Sequence, residues 1–518
     1  MSLIAAVDVG TGSARAGVFD ATGRLLGRAE AALDLRRIGP RRAEQSSAQI
    51  WDAVGEALRA ARMEAGAAPE AIAALAFDAT CSLVVRDVAG RPVGVTPGAP
   101  DAFDTILWLD HRAIEEAEAI DAHRGAGPGE AISPEMALPK LLWLARRHPA
   151  AWARAARVLD LADFLAWSAT GTDARSLCPA VCKWGWTATQ GWPVDLLAAL
   201  GLTDFARTGA TRPPVPIAAD LGPLTPAAAA HLGLTTATRV GAGLVDAHAG
   251  ALAVLGGFAS DPERMARNVA LIAGTSTCLM RLAPGGAPRP GVWGPYPDGV
   301  LPGFTMTEGG QSASGALLDH ILRGPGGGSE PDAALHARVA ARIAELRRDD
   351  PDLAPWIHVL PDFHGNRTPQ ADARARGMIL GLDLDGGFDG LCRLYFRTAV
   401  GLALGLRETL DALTEDGPAA QALHAAGGHA RNPLLMALYA DATGVPVLEP
   451  LAPDPVLLGT AMTAAVTAGL HPSLAAAAEA MGQGTTIRRP DPSAAARMAR
   501  DTQVLKAMRA LQRPVNTG

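Results

Sequence analysis

The opening segment "LIAAVDVGTGSARAGVFD" constrains the fold more than any other stretch of the chain. An apolar run ends at Asp8, small residues fill Gly10–Ser13, and a second strand-like run follows near Arg15–Asp20. Thr22-Gly23 marks a turn into a third strand. This strand–loop–strand meander excludes the two commoner nucleotide loops. A dinucleotide-binding loop needs a third glycine opening a helix, and Arg15, inside a strand, stands in its place. A Walker A loop needs Gly-Lys-Ser/Thr, which the chain nowhere contains. A related pattern returns in "NVALIAGTSTCLMRL", where Gly274-Thr275-Ser276 again separates two apolar runs. Gly274 laid on Gly10 falls about half the chain later, so two domains of similar construction are expected. The linker-like stretch 256–267 places the boundary between domains at 1–262 and 263–518.

The chain's 518 residues allow two large domains at roughly 150 residues or more each. Lys and Arg number 46 against 53 Asp and Glu, with no dense basic run, which argues against a nucleic-acid or anionic-membrane binder. No apolar run approaches the roughly 18 residues of a membrane span, and Asp8 comes too early for a signal peptide's apolar core. Five scattered cysteines, with no second Cys/His pair completing Cys178 and Cys182 as a zinc site, are expected as reduced thiols of a cytoplasmic protein. Leucines at three- and four-residue spacing from Leu391 to Leu413 predict one face of a long helix. "LHAAGGHARNPLLMALYADATGVPV" reads as strand, Gly427-Gly428 turn, helix and strand. Strands interleaved with helices in both halves make an α/β protein. The run 324–331 reads as a surface loop, and the Ala-rich tail from Ser473 as helix and surface.

Several residues carry candidate chemistry. Asp8 before Gly-Thr-Gly-Ser sets a carboxylate beside backbone donors and hydroxyls, a set suited to phosphate and a bridging divalent ion, and Arg15 adds a charged fork. A plain hairpin cap would look the same. Asp246, between the expected strand 239–245 and the helix 247–255, is either a general base or an N-cap. Glu308 and Gln311 flank Gly309-Gly310 at an expected helix start. Asp78, Thr80 and Cys81 follow a strand end, Asp110 lies in "LWLDHRA", and Lys183 sits among apolar neighbours in "CKWGW". His248 and His364 are read as hydrogen-bonded structural residues without metal-like partners.

In this order, "DVGTGSARAGVFD", "WLDHRA", "GLVDAHAG", "GTSTCLM", "EGGQSASG" and "AAGGHARNPLLMALYADATGVPV" resemble the FGGY carbohydrate kinases of the actin-like ATPase superfamily. "DATCSL", "PKLLWL", "CKW", "GVWGPY" and "PDFHGNRTP" are similar to its D-ribulokinase branch. The resemblance implies two ribonuclease-H-like domains, the first holding the sugar and the second ATP, with both substrates meeting in a cleft. It implies Asp246 as catalytic base, Asp8 as a ligand of Mg²⁺ through water, and Thr11, Gly12, Ser13 and Arg15 at the phosphates. Gly274, Thr275 and Ser276 would form the second phosphate loop, with Gly427, Gly428 and Asn432 at the adenosine. Asp78, Cys81, Asp110, Lys183, Asp246 and Glu308 would meet the sugar. Asp78-Ala79-Thr80 departs from the Asp-Phe-Thr of L-ribulokinases. The implied reaction moves a phosphoryl group from ATP to the terminal hydroxyl of a ketopentose, most simply D-ribulose. L-ribulokinase, xylulokinase, glycerol kinase and an actin-like conformational protein are the alternatives. The implied partners are a small sugar and ATP, without nucleic acid or membrane, and a homodimer is allowed.

Overall fold

Apolar runs too short for helices and bounded by turn residues build the first sheet. Its strands are β1 (Leu3–Val9), β2 (Ser13–Phe19), β3 (Leu25–Ala32), β4 (Ile72–Ala79), β5 (Asp220–Pro223) and β6 (Arg239–Val245), in the spatial order β5-β6-β4-β1-β2-β3. β1 is buried on both faces except at its first residue, as expected for a central strand. It runs antiparallel to β2 and parallel to β4, and β4 runs parallel to β6. The second sheet repeats the plan with β7 (Asn268–Ala273), β8 (Thr277–Ala283), β9 (Trp293–Pro297), β10 (Thr305–Gln311), β11 (Ala422–Ala426), β12 (Val447–Pro450) and β13 (Thr485–Arg488), in the order β9-β10-β8-β7-β11-β12-β13. There β7 is antiparallel to β8 and parallel to β11. This computed structural model describes residues 2–39, 41–127, 130–209, 212–324 and 331–516.

Helices cover both sheets: α1 (Ser47–Glu64), α2 (Leu177–Lys183), α3 (Asp246–Leu255), α4 (Gly315–Arg323), α5 (Phe388–Thr414), α6 (Pro433–Thr443) and α7 (Pro455–Thr467). α5 is the long leucine helix, and Leu402, Leu406, Leu410 and Leu413 on its spaced face are buried. α7 comes from the second half of the chain yet packs on β1, β4 and α3. Gly459 makes that approach possible, because a side chain there would start 1.9 Å from the Ala249 carbonyl oxygen. One core therefore joins the halves, with Ile4 and Leu244 of the first sheet, Ala270 and Met280 of the second, and Leu457 and Met462 of α7. At about 1.5–3 kcal/mol per large apolar side chain buried, this shared core opposes separation of the halves.

Two expectations fail locally. Glu308 lies inside strand β10, and the helix begins only at Gly315. Gly310 explains the difference: a side chain there would start 2.2 Å from the Thr277 carbonyl oxygen, so glycine there permits close strand pairing. The tail also holds more than helix and surface, because 485–488 pairs with β12 as the edge strand β13. Most of the run 324–331 lies outside the described residues.

Candidate active site

The register of the first sheet gathers carboxylates. Asp8 pairs across β1–β2 with Arg15 and beside Asp78 of β4, and Asp246 begins α3 directly after β6. Three adjacent strand ends thus present Asp8, Asp78 and Asp246 to one place, where ligands collect in α/β sheets. Arg15 forms an ion pair with Asp8 and lies 3.6 Å from Asp454, the residue that caps α7. Thr460 of α7 donates to Asp78. Burial raises Asp8 to about 7 against the pull of Arg15, with Asp454 and Asp246 adding repulsion. Burial likewise raises Asp78, with Asp8 adding to it, and raises Asp246. Asp246 has no capping bond of the usual kind. Among the described residues it accepts only from the adjacent Ala247 N–H, at 2.7 Å, and its carboxyl faces a cavity.

Apart from Glu308 of β10, the second sheet brings neutral groups to that cavity. The β7–β8 turn carries Gly274, Thr275 and Ser276, and the α4 start ties the turn's carbonyls into the protein through Ser314 N–H to Thr275 (3.0 Å) and Gly315 N–H to Gly274 (3.2 Å). Gly427, after β11, has φ of 88° and approaches the Ala273 carbonyl so closely that a side chain would start 2.5 Å from it. Only glycine fits both conditions.

Between the two sets lies a cavity of about 190 Å³. Of the sequence-predicted residues, Thr11, Arg15, Cys81, Lys183, Asp246, Gly274, Thr275, Ser276, Glu308, Gly427 and Gly428 line it. Lys183 Nζ stands 3.3 Å from Glu308 Oε2, both buried. Burial opposes both charges, yet each holds the other ionised: Lys183 is raised well above the usual lysine range, and Glu308 is lowered by Lys183, His248 and Arg367. Asp8 and Asp78 lie behind this lining, and Gly12 and Ser13 are outside it. Asn432 caps α6, accepting from Leu434 and Leu435 N–H.

Asp110 is placed elsewhere. Its carboxylate is fully buried: Oδ2 accepts from Ala43 N–H at 2.7 Å and Arg112 at 2.8 Å, and Oδ1 accepts from Arg112 N–H and Nε at 2.9 Å, so both oxygens are occupied within the protein. In "LDHRA" the adjacent residues point different ways, and His111 instead bonds a cavity residue, Glu135, at 3.1 Å. Glu135 and Arg367 are functional candidates the sequence reading missed. Arg367 donates to Glu135 at 2.8 Å and stacks on Trp293 at 5.0 Å. Arg367 lies in the quoted "PDFHGNRTP", whereas nothing local marks Glu135. His364 stacks on His111 and bonds the Leu109 carbonyl, a structural use. His248 has the hydrogen bond expected of it, to Cys178 Sγ at 3.0 Å, but the expectation that it lacks metal-like partners fails, because Cys178 and Cys182 both lie beside it. A helical turn separates the two cysteines and a strand–helix junction supplies the histidine, so spacing in sequence could not show the set.

The family models match both halves in order. Residues 3–253 match the FGGY family of carbohydrate kinases, N-terminal domain, and residues 269–468 match its C-terminal domain. The chain belongs to the FGGY family of carbohydrate kinases. An FGGY carbohydrate kinase domain-containing protein of Danio rerio is 38% identical over 511 residues, covering 94% of this chain and 93% of the relative. A D-ribulokinase of Saccharomyces cerevisiae is 33% identical over 509 residues, covering 89% and 71%. The solved xylulose kinase of Rhodospirillum rubrum superposes with a TM-score of 0.76 at 24% identity over 100% of both chains, which establishes the shared two-domain fold. As an FGGY kinase the chain is a phosphotransferase that takes a sugar and ATP. Among the described residues no helix is long and apolar enough to cross a membrane.

Proposed function

We propose that this FGGY kinase transfers the γ-phosphoryl group of ATP to the terminal primary hydroxyl of a ketopentose, D-ribulose, giving D-ribulose 5-phosphate and ADP. The observation that carries the reading is one cavity lined by Asp246, the Lys183–Glu308 pair and both loops, Gly10–Thr11 and Gly274–Ser276. The yeast relative named D-ribulokinase supports the choice of sugar.

In this reading Lys183 and Glu308 hydrogen-bond sugar hydroxyls, with Arg367 and Glu135 on the far wall and Trp293 and Trp108 bounding the space. Asp246 accepts the proton of the attacking hydroxyl as its oxygen bonds the γ-phosphorus and the bond to ADP breaks. Burial raises Asp246, which suits a base working near neutrality. Arg15 and the loop amides stabilise charge on the moving group, and such charge stabilisation is most of what phosphoryl transfer requires. Gly427 and Gly428 admit the nucleotide, and Asn432 holds their turn against α6. Residues 1–262 supply Asp246, Lys183 and Glu135 on the sugar side, residues 263–518 supply the nucleotide loops together with Glu308 and Arg367 of the sugar pocket, and closure excludes water that would otherwise take the phosphoryl group.

The acidic set fits a divalent cation. Asp8, Asp78, Asp246 and Asp454 gather around Arg15, and burial raises the first three, so a bound cation would favour their charged forms. Asp8 would hold Mg²⁺ through water, and the bound ion offsets phosphate charge. Five free cysteines suit a cytoplasmic enzyme.

The deciding experiment is ATP consumption across D-ribulose, L-ribulose, D-xylulose, ribitol and glycerol. D-ribulose should give the highest kcat/KM. A higher value for another acceptor overturns the choice of sugar, and ATP turnover independent of every acceptor favours a conformational ATPase.

A further inference from the structure

Behind the sugar side of the cavity, Cys178 and Cys182 of α2 and His248 of α3 converge. One donor atom from each lies within 4.8 Å of the other two, and all three residues are buried. The Cys178 Sγ stands 3.0 Å from His248 Nδ1. The opposite ring nitrogen, Nε2, is buried and faces Glu308 Oε2 at 3.7 Å. The phosphoryl-transfer reading assigns none of these three side chains.

From these positions we infer a metal site that binds one thiophilic divalent ion, Zn²⁺ foremost, through Cys178 Sγ, Cys182 Sγ and His248 Nδ1. Two thiolates and an imidazole are the donors such ions select over oxygen-preferring Mg²⁺. Tetrahedral zinc with Zn–S of about 2.3 Å and Zn–N of about 2.0 Å sets S···S near 3.8 Å and S···N near 3.6 Å. The three donors lie within 4.8 Å of one another, close enough for one ion to reach all of them. The Cys178–His248 separation must widen by only about half an ångström to admit the ion. Ligation through Nδ1 turns the Nε2 proton toward Glu308, the carboxylate–histidine–metal arrangement that fixes a ring in its ligating tautomer. A water supplies the fourth position, and the thiol protons leave to solvent on binding. His248 lines the main cavity, and Cys182 lines a groove beside it that also contains Lys183, so the site has routes of entry.

The test uses the full chain, reduced and stripped of metal, titrated with Co²⁺ alone as a spectroscopic probe and then with Zn²⁺. One equivalent of Co²⁺ should give thiolate-to-cobalt charge-transfer absorption and the visible bands of tetrahedral cobalt, and Zn²⁺ should displace both. Cys178→Ser and Cys182→Ser should each abolish the charge-transfer bands or weaken Zn²⁺ binding at least about 100-fold, a loss no smaller than that of an outer-shell partner. Cys392→Ser, a buried position on α5, should change nothing. Absence of the bands in the wild-type protein overturns the site whatever the variants do. Retention of full-strength bands in both folded cysteine variants, verified by circular dichroism, overturns it equally.

Discussion

Around β1 and around β7 the chain is built the same way: an antiparallel hairpin whose first strand pairs in parallel with a third, and a small-residue turn joining the hairpin. The ends of these strands carry opposite chemistry. At the first, Asp8, Asp78 and Asp246 crowd around Arg15, and burial raises all three carboxylic acids. At the second, Gly274, Thr275, Ser276 and Gly427 offer backbone and hydroxyls without formal charge. A hairpin beside a parallel strand will form from any suitably apolar sequence, so the strand ends are free to diverge. Charge that handles protons and cations collects on one side, and close-approach backbone for a nucleotide on the other.

Changing single residues on each side tests that division. The largest effect is expected from Asp246→Asn, which keeps the shape but cannot take the proton. Turnover should fall by roughly two to four decades with the ATP KM little changed. Retained activity would reduce Asp246 to a helix-start residue and break the contrast.

Lys183→Met and Glu308→Gln should each cost about 1.5–3 kcal/mol, roughly one to two decades, in kcat/KM for the sugar. Steady-state kinetics with D-ribulose and L-ribulose should show a narrowed ratio between them, because a pocket discriminates through its own unpaired polar groups. A defect confined to the ATP KM would move the pair to the other side of the cleft.

On the neutral side, Gly427→Ala forces a side chain into left-handed backbone beside the Ala273 carbonyl. Handedness alone costs about 1–2 kcal/mol. Calorimetry should show a lower Tm, and kinetics a raised ATP KM with the sugar KM near wild type. The reverse split would contradict the assignment of this turn to the nucleotide.

The smallest effect is a pH dependence confined to the second sheet. His424 of β11 is lowered to about 4 by burial, with Arg264 adding to it, and its Nε2 bonds Asn268 at 2.7 Å. A histidine depressed in the fold contributes stability above its unfolded value near 6.5, and that stability is lost as pH falls toward 4. The loss should reach about 1 kcal/mol near pH 5.5. His424→Gln should flatten this part of the stability profile in urea unfolding at matched pH, and an unchanged slope would assign the acid sensitivity elsewhere.

Local sequence determined the hairpins, the long helix α5, the strand–helix junction at Asp246 and the two glycine turns. Each is a matter of apolar period, turn chemistry or backbone freedom within a few residues. Family motifs carried Lys183 and Glu308 into one proposed pocket. Tertiary structure alone decided which neighbour in "LDHRA" serves the cavity, because adjacent side chains leave the backbone in different directions, and Asp110 is consumed by Arg112. It alone paired Glu135 with Arg367, and it alone brought Cys178, Cys182 and His248 together, since contacts between distant segments leave no periodic trace in the chain. Glu308 shows the limit most directly. A Gly-Gly pair reads locally as a turn, and only distant segments make it part of a sheet: the neighbouring strand presses on Gly310, and Thr409 of α5 with Thr368 presses on Gly309.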